Sequence, residues 1–156
     1  MASILKHNII AVLLWWIVTA IVILLVLYPI WLNTLEFPFY YQNALLIAVF
    51  ITFTRYIFFL PISFIARLKW IKVFIIGGAV LFCFVLATAV GDFRNYMDEK
   101  GLQTLVTHLH VTKQTSIMTY IKNEMIFFGT GSIITGILLP MRLIRSLWRM
   151  KNSGRV

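Results

Sequence analysis

Arg55 lies within an apolar segment of residues 43–66, where a charged side chain calls for an explanation. If the segment is a membrane-spanning helix, Arg55 lies about 18 Å from its outer end at 1.5 Å per residue. A charge at that depth costs at least about 2.5 kcal/mol on insertion scales, so polar groups must compensate it. Thr19 and Thr135 fall at about the same depth in other apolar segments, and their hydroxyl oxygens can accept hydrogen bonds. Neither carries a negative charge.

The acidic residues all fall at or beyond the outer ends of the apolar segments, too far from Arg55 for an ion pair between straight helices. They are Glu36, Asp92, Asp98, Glu99 and Glu124. Three explanations of Arg55 therefore remain open. It bonds to carbonyls, hydroxyls and buried water of its own bundle, it meets a carboxylate on a helix of a partner subunit, or it contacts an anionic ligand or lipid headgroup in a water-filled cavity.

His108 and His110 are weak candidates for a metal site. The alternation from Thr107 to Thr112 permits a short strand, which would place both imidazoles on one face, whereas on a helix they point about 200° apart. Zinc usually needs three or four protein ligands, and the sequence offers no cysteine or third histidine at a suitable spacing. We therefore expect no metal and no cofactor.

The groups that most enzyme classes need are missing from the apolar segments. These segments contain no paired carboxylates, no Cys-x-x-Cys motif and no histidine beside a nucleophile. Ser132 follows Gly129-Thr130-Gly131, but it lacks both the flanking pattern of a nucleophile elbow and a neighbouring base. We expect a protein that is not an enzyme.

Four long apolar runs position these residues: 9–32, 43–66, 73–91 and 125–147. About 18 or more apolar residues cross the roughly 30 Å hydrocarbon layer as a helix, and a helix satisfies its own backbone groups in lipid. The chain is 61% hydrophobic and 12% charged, whereas soluble domains carry about 25% charged residues. The sequence predicts an all-α integral membrane protein, a four-helix bundle whose single domain covers residues 1–156.

The segment 92–124 is the only sizeable loop outside the predicted helices, and we expect it to form a small helical cap on the extracytoplasmic side. An apolar stripe at helical spacing is formed by Leu102, Leu105, Val106 and Leu109. Gly101 should separate this helix from the third membrane helix, and Ser116–Glu124 should continue into the fourth.

Gly129, Ser132 and Gly136 lie on one face of the fourth predicted helix, at positions i, i+3 and i+7. Small side chains let two helix backbones approach closely, where dispersion replaces the hydrophobic drive that lipid cannot supply. We expect this face to pack against another helix of the same chain. Contact with a second protein is the alternative.

Lysine and arginine residues are distributed unequally between the two sides of the predicted topology. Nine fall on one side, namely Lys6, Arg67, Lys69, Lys72, Arg142, Arg145, Arg149, Lys151 and Arg155, and four on the other, namely Arg94, Lys100, Lys113 and Lys122. Because cytoplasmic loops carry the excess, both termini should be cytoplasmic, in a bacterial inner membrane. Basic residues at helix ends account for most of the formal charge of +9 without a nucleic-acid partner.

Arg142, Arg145 and Arg149 form a basic strip at the end of the fourth predicted helix. Such a strip ordinarily anchors a helix at an anionic leaflet, where each residue contributes on the order of 1 kcal/mol. Specific recognition of a lipid or a protein partner is the alternative.

A small bundle without catalytic groups is most easily explained as part of a larger assembly. We predict a non-enzymatic accessory or assembly subunit of an inner-membrane protein complex. Its partners would be membrane lipids and other integral membrane subunits, one of which can carry an intramembrane Asp or Glu. The alternative is a small oligomeric transporter or channel in which Arg55 lines a path for an anion or ligand. Such a path should show more polar residues than one arginine and a few threonines.

Overall fold

The computed structural model describes residues 2–63 and 68–152, with side-chain surroundings from residue 10 onward except at Ile62. All regular structure in this part of the chain is helical. The long helices are α1 (Ala2–Asn33), α2 (Tyr40–Phe59), α3 (Lys69–Glu99) and α4 (Val111–Asn152). Each is long and apolar enough to cross a membrane, so the prediction of an all-α chain with four such helices is confirmed.

The second helix is shorter at one end than its predicted span, 43–66, because α2 ends at Phe59. A 3₁₀ turn containing Pro61 follows, since proline lacks the amide hydrogen that would continue the α-helical ladder. The last residues of the predicted span, 64–66, lie outside the described residues, as does Arg67.

The connection between the third and fourth helices is shorter than the predicted outer loop, 92–124, because the two flanking helices include most of those residues. α3 continues to Glu99 and α4 begins at Val111, so the connection between them is residues 100–110. Gly101 separates this connection from α3 with a φ of 74°, a conformation that glycine adopts without the steric cost of a Cβ.

The apolar stripe predicted in this connection packs directly onto the helices. Leu102, Leu105 and Val106 are buried, and Leu109 packs beside them against the main core. Within the connection, helical structure is limited to one 3₁₀ turn at Leu102–Leu105. The segment is therefore packed onto the long helices, and the structure does not show the separate helical cap that the sequence suggested.

α4 occupies the centre of the molecule. It runs for 42 residues, continuously through Ser116–Glu124 as predicted and past Pro140. It packs along both α2 and α3, whereas α1 packs mainly against α2. We call the end of the bundle with the α1–α2 and α3–α4 connections the outer end, and the opposite end the inner end.

Two apolar clusters hold the helices together. The larger lies towards the outer end, where Leu46, Phe93 and Ile121 are among its fully or almost fully buried members. The smaller lies towards the inner end and is built on Leu60, Leu139 and Leu143.

Candidate functional site

Arg55 lies in a small pocket between α1 and α2. Its guanidinium carbon is 5.4 Å from the centroid of the Trp15 ring and 5.5 Å from that of Tyr56. Such cation–π contacts contribute about 0.5–2 kcal/mol each, depending on how far the cation is desolvated. The complete lining is Trp15, Trp16, Thr19, Ile51, Thr52, Arg55 and Tyr56. None of these residues carries a carboxylate.

Arg55 lies near the inner end of α2, in a pocket that also reaches towards the outer end. Arg55 lies four residues before Phe59, the last residue of α2, which is about 6 Å at 1.5 Å per residue. The pocket nevertheless includes Ile51 and Thr52, one turn on the other side. Helical side chains tilt towards the helix N-terminus, and here the inner side is occupied by the Trp15 and Phe59 rings, whose centroids are 6.0 Å apart. The cation therefore lies within the helix pair.

The space beside Arg55 measures about 20 Å³, which is enough for one water molecule. A guanidinium has five N–H donors. The pocket lining offers three side-chain hydroxyls as acceptors, on Thr19, Thr52 and Tyr56. The arrangement therefore holds the cation against two aromatic rings and leaves donors for a water molecule or for a group from outside the chain.

The structure brings Thr19 to Arg55 but not Thr135. Thr19 lines the pocket, and its hydroxyl donates to the Trp15 carbonyl at 2.8 Å. Thr135 is buried in α4, where its hydroxyl lies 2.9 Å from the Gly131 carbonyl and 3.1 Å from that of Ser132. The sequence predicted a similar depth for both threonines. They differ in the direction in which their side chains point, and only that of Thr19 points to the Arg55 pocket.

A buried pair that the sequence did not predict joins α2 to α4. The Asn43 amide nitrogen donates to one carboxyl oxygen of Glu124. Asn43 is fully buried and Glu124 is 7% exposed. The sequence predicted that Glu124 lies at the outer boundary of the fourth apolar run. In the structure it lies at that level of α4, but its side chain is buried inside the bundle. The available signal was that Asn43 and Glu124 each occupy an outer end of an apolar run.

The Asn43–Glu124 pair contains more acceptors than donors. The Asn43 carbonyl oxygen and the second Glu124 oxygen are both buried without a hydrogen-bond partner in the part of the chain that the structure describes. A carboxyl proton or a bound water molecule would satisfy these acceptors. The pair is suited to fixing the register of two helices by a polar contact.

The small residues of α4 face the other helices of the same chain. A Cβ on Gly129 would lie 2.6 Å from a Val90 methyl carbon, and one on Gly136 would lie 2.9 Å from the Cys83 sulfur. Ser132 is fully buried between them and donates to the Gly129 carbonyl at 2.8 Å. This face is therefore a close-packing surface towards α3.

The basic strip lies at the inner end of α4. Arg145 and Arg149 are exposed and Arg142 is half-buried, and all three line a pocket of about 230 Å³. Arg155 lies outside the described residues.

The two histidines lie on the surface of the α3–α4 connection. His108 and His110 are both exposed, in a turn that leads into α4 and not in the short strand that their alternation permitted. Across residues 2–63 and 68–152, no three or more His, Cys, Asp or Glu side chains are grouped so that they could hold a metal ion.

Comparison of this chain with protein-family models, curated proteins and solved structures finds no match. Function has to be argued from the geometry and chemistry of the residues themselves. Of the sites described, the Arg55 pocket is the one that holds a cation between the apolar helices α1 and α2 with no opposite charge in its lining, and it is the candidate functional site.

Proposed function

We propose that this chain is a non-enzymatic accessory or assembly subunit of a membrane protein complex. It would lie in a bacterial inner membrane with both termini in the cytoplasm. Four helices of sufficient length and hydropathy support the membrane location, and the unequal distribution of lysine and arginine supports the orientation. A reporter that is active on one side of the membrane only, fused to the C-terminus, tests that orientation. Activity on the outer side would contradict it.

The observation that carries the proposal is the Arg55 pocket. A cation within a pair of apolar helices needs compensation, and its lining provides aromatic faces and hydroxyls. A carboxylate on a neighbouring subunit can accept two parallel hydrogen bonds from a guanidinium. Such a partner would satisfy the donors that Trp15 and Tyr56 cannot satisfy, since ring faces interact with the charge but accept no strong hydrogen bond.

The size of the pocket favours a subunit over a transporter. A space of about 20 Å³ admits one water molecule and is far smaller than the several hundred cubic ångströms of ordinary ligand sites. A carboxylate is larger than one water molecule, so a partner's Asp or Glu would meet Arg55 at the rim of this space, whereas a transported solute would have to pass through it. This supports a contact between subunits at Arg55.

Co-purification after gentle detergent extraction tests this role, with mass spectrometry to identify the recovered proteins. Arg55→Leu should leave the isolated chain as stable as the wild type or more stable, since it removes a half-buried charge that has no acidic partner in its pocket. The same change leaves the partner's acid buried and unpaired, so association should weaken by about 3–5 kcal/mol. Arg55→Glu should weaken it further because two acids then meet.

The matched control is Arg94→Leu, which removes an exposed arginine near the outer end of α3 and should leave recovery unchanged. Equal recovery of partners with wild type, Arg55→Leu and Arg55→Glu would reject the subunit contact. Loss of a solute flux from Arg55→Leu vesicles, with the assembly intact, would favour the transporter instead.

A further inference from the structure

A second charged pocket lies at the inner end of the bundle, well away from Arg55. We call it the basic pocket. It measures about 230 Å³, and its lining is Leu60, Pro61, Arg142, Arg145, Ser146, Arg149 and Met150. The three arginines recur at i, i+3 and i+7 and so share one face of α4. None of the lining residues is acidic.

A fourth cation lies directly behind the wall of the basic pocket. Lys72 of α3 is fully buried. Its ammonium donates to the Ser146 hydroxyl at 2.9 Å and lies 3.1 Å from the Met150 sulfur. Both of these residues also line the pocket. Two helices therefore contribute four positive charges to one small volume, where each raises the potential felt by the others.

The arginines are graded from the rim of the pocket to its interior. Arg145 and Arg149 are exposed, whereas Arg142 is half-buried. The Arg142 Nε is itself buried and has no hydrogen-bond partner within the described part of the chain. A buried donor without an acceptor is unfavourable, so the described part of the chain leaves the Arg142 guanidinium incompletely satisfied at the wall of the pocket that it lines.

The helix dipole does not account for this arrangement. Cations are favoured at a helix C-terminus, but the effect falls off within the last turn. α4 ends at Asn152. The dipole therefore accounts for Arg149, which lies in the last turn, but not for Arg142, which lies ten residues before Asn152. Lys72 belongs to another helix and lies near its start, where the dipole opposes a positive charge.

We propose that the basic pocket binds a phosphate group, carried either by an anionic lipid or by a free phosphate compound. Arginine forks match the geometry of phosphate oxygens and bind them bidentately. Basic pockets between membrane helices, at the level of the headgroups, bind phosphate-bearing lipids by the same chemistry. The pocket is smaller than a drug-sized ligand site, which fits a phosphate group and not a large organic anion.

The test uses the full-length chain, purified in a mild neutral detergent, and two probes. Native mass spectrometry measures retention of phosphatidylglycerol against phosphatidylcholine, which share acyl chains but differ in net charge. Isothermal titration measures binding of inorganic phosphate. Selective retention of phosphatidylglycerol identifies a lipid headgroup, and saturable binding of inorganic phosphate identifies a free phosphate compound. Failure of both probes to bind would overturn the proposal.

The variants distinguish this site from general attraction to a basic protein. Arg142→Gln and Arg145→Gln should each lower affinity for the bound probe about tenfold or more, as expected when a charge-assisted hydrogen bond is lost. Arg142→Lys keeps the charge but loses the fork, so its loss should be intermediate. Arg94→Gln, at the other end of the bundle, should leave affinity unchanged.

An equal loss of affinity in Arg94→Gln and Arg145→Gln would also overturn the proposal, because it would show non-specific attraction. Arg145 is exposed, so its substitution reports on binding even if Arg142→Gln fails to fold. The basic pocket and the Arg55 contact are tested independently, since Arg145→Gln should leave co-purification of protein partners intact.

Discussion

Of the four long helices, α1 is the least buried and α4 the most buried, although α1 is more apolar than α4. Within the most apolar stretch of each helix, 6% of α1 is buried inside the molecule, against 39% of α4. α1 is nevertheless the most apolar of the four helices. α4 carries Glu124, two glycines, a serine and a threonine among its buried residues.

This contrast is what a lipid solvent produces. In water the most apolar helix would be driven to the centre, and a side as apolar as that of α1, with Leu24, Leu25 and Trp31 all exposed, would be an aggregation hazard. In a bilayer, lipid chains cover such a surface without cost, and helices associate through small and polar residues instead. The burial pattern thus supports the proposed membrane location independently of helix length.

The sharpest way to break the comparison is to enlarge a small residue on the buried face of α4. Gly129→Leu places a side chain where a Cβ already meets Val90 at 2.6 Å. Valine in a helix has one strongly preferred rotamer, so the backbones must separate. We expect a loss of about 1–3 kcal/mol in the free energy of unfolding, as for other overpacked cores. Denaturant titration in mixed detergent micelles measures it.

Gly77→Leu is the matched control on α3. A Cβ at Gly77 meets no atom within 4 Å, so the added side chain should extend into lipid and leave stability unchanged. If Gly129→Leu were tolerated as well as Gly77→Leu, the close approach of α3 and α4 would not be what holds the centre of the molecule.

A second test concerns the polar side of the comparison, the Asn43–Glu124 pair. Asn43→Leu removes the donor to a buried carboxyl group, and we expect a loss of about 1–2 kcal/mol, typical of interhelical hydrogen bonds in model membrane peptides. The double variant Asn43→Leu/Glu124→Leu should be more stable than Asn43→Leu alone, because it leaves no acceptor of the pair buried without a partner.

This prediction is tested by the coupling energy, which is the effect of the double substitution on the free energy of unfolding minus the sum of the two single effects. Simple additivity of the two substitutions would mean that the pair does not interact in the folded protein. Asn95→Leu changes an exposed asparagine near the end of α3 and should have no comparable effect.

Sequence reasoning predicted the helices well because each is defined by a local run of residues. The apolar runs predicted four long helices, and Gly101 predicted where α3 is interrupted, since that break depends on one residue. The end of α2 at Phe59 was missed although Pro61 was visible, because helix ends depend on backbone groups that hydropathy does not register.

The site residues were harder to predict because depth along a helix does not give direction around it. Thr19 and Thr135 were counted to the same level as Arg55, and only Thr19 lies in its pocket. Glu124 was counted to the end of its span, and the count could not show that it turns towards Asn43. The direction in which a side chain points around its helix depends on how that helix is rotated against its neighbours, and this rotation is set by the packing of the whole bundle.

The smallest expected effect concerns the contact between the two helices compared above. The Tyr120 hydroxyl of α4 donates to the Val26 carbonyl of α1 at 2.8 Å. From residue 10 onward, the buried side chains of α1 are limited to Thr19, Ile30 and Asn33. Tyr120→Phe should cost about 0.6 kcal/mol, the average for a hydrogen bond between membrane helices.

That loss should be confined to α1. Because the centre of the molecule is formed by α2, α3 and α4, hydrogen exchange should rise in α1 and stay unchanged in α4 when Tyr120 is replaced by Phe. Tyr41→Phe is the control, since Tyr41 is 92% exposed and its hydroxyl contributes little to packing. A rise in exchange throughout the four helices would mean that α1 unfolds together with the centre, and the contrast between a peripheral α1 and a central α4 would then describe their contacts but not their stability.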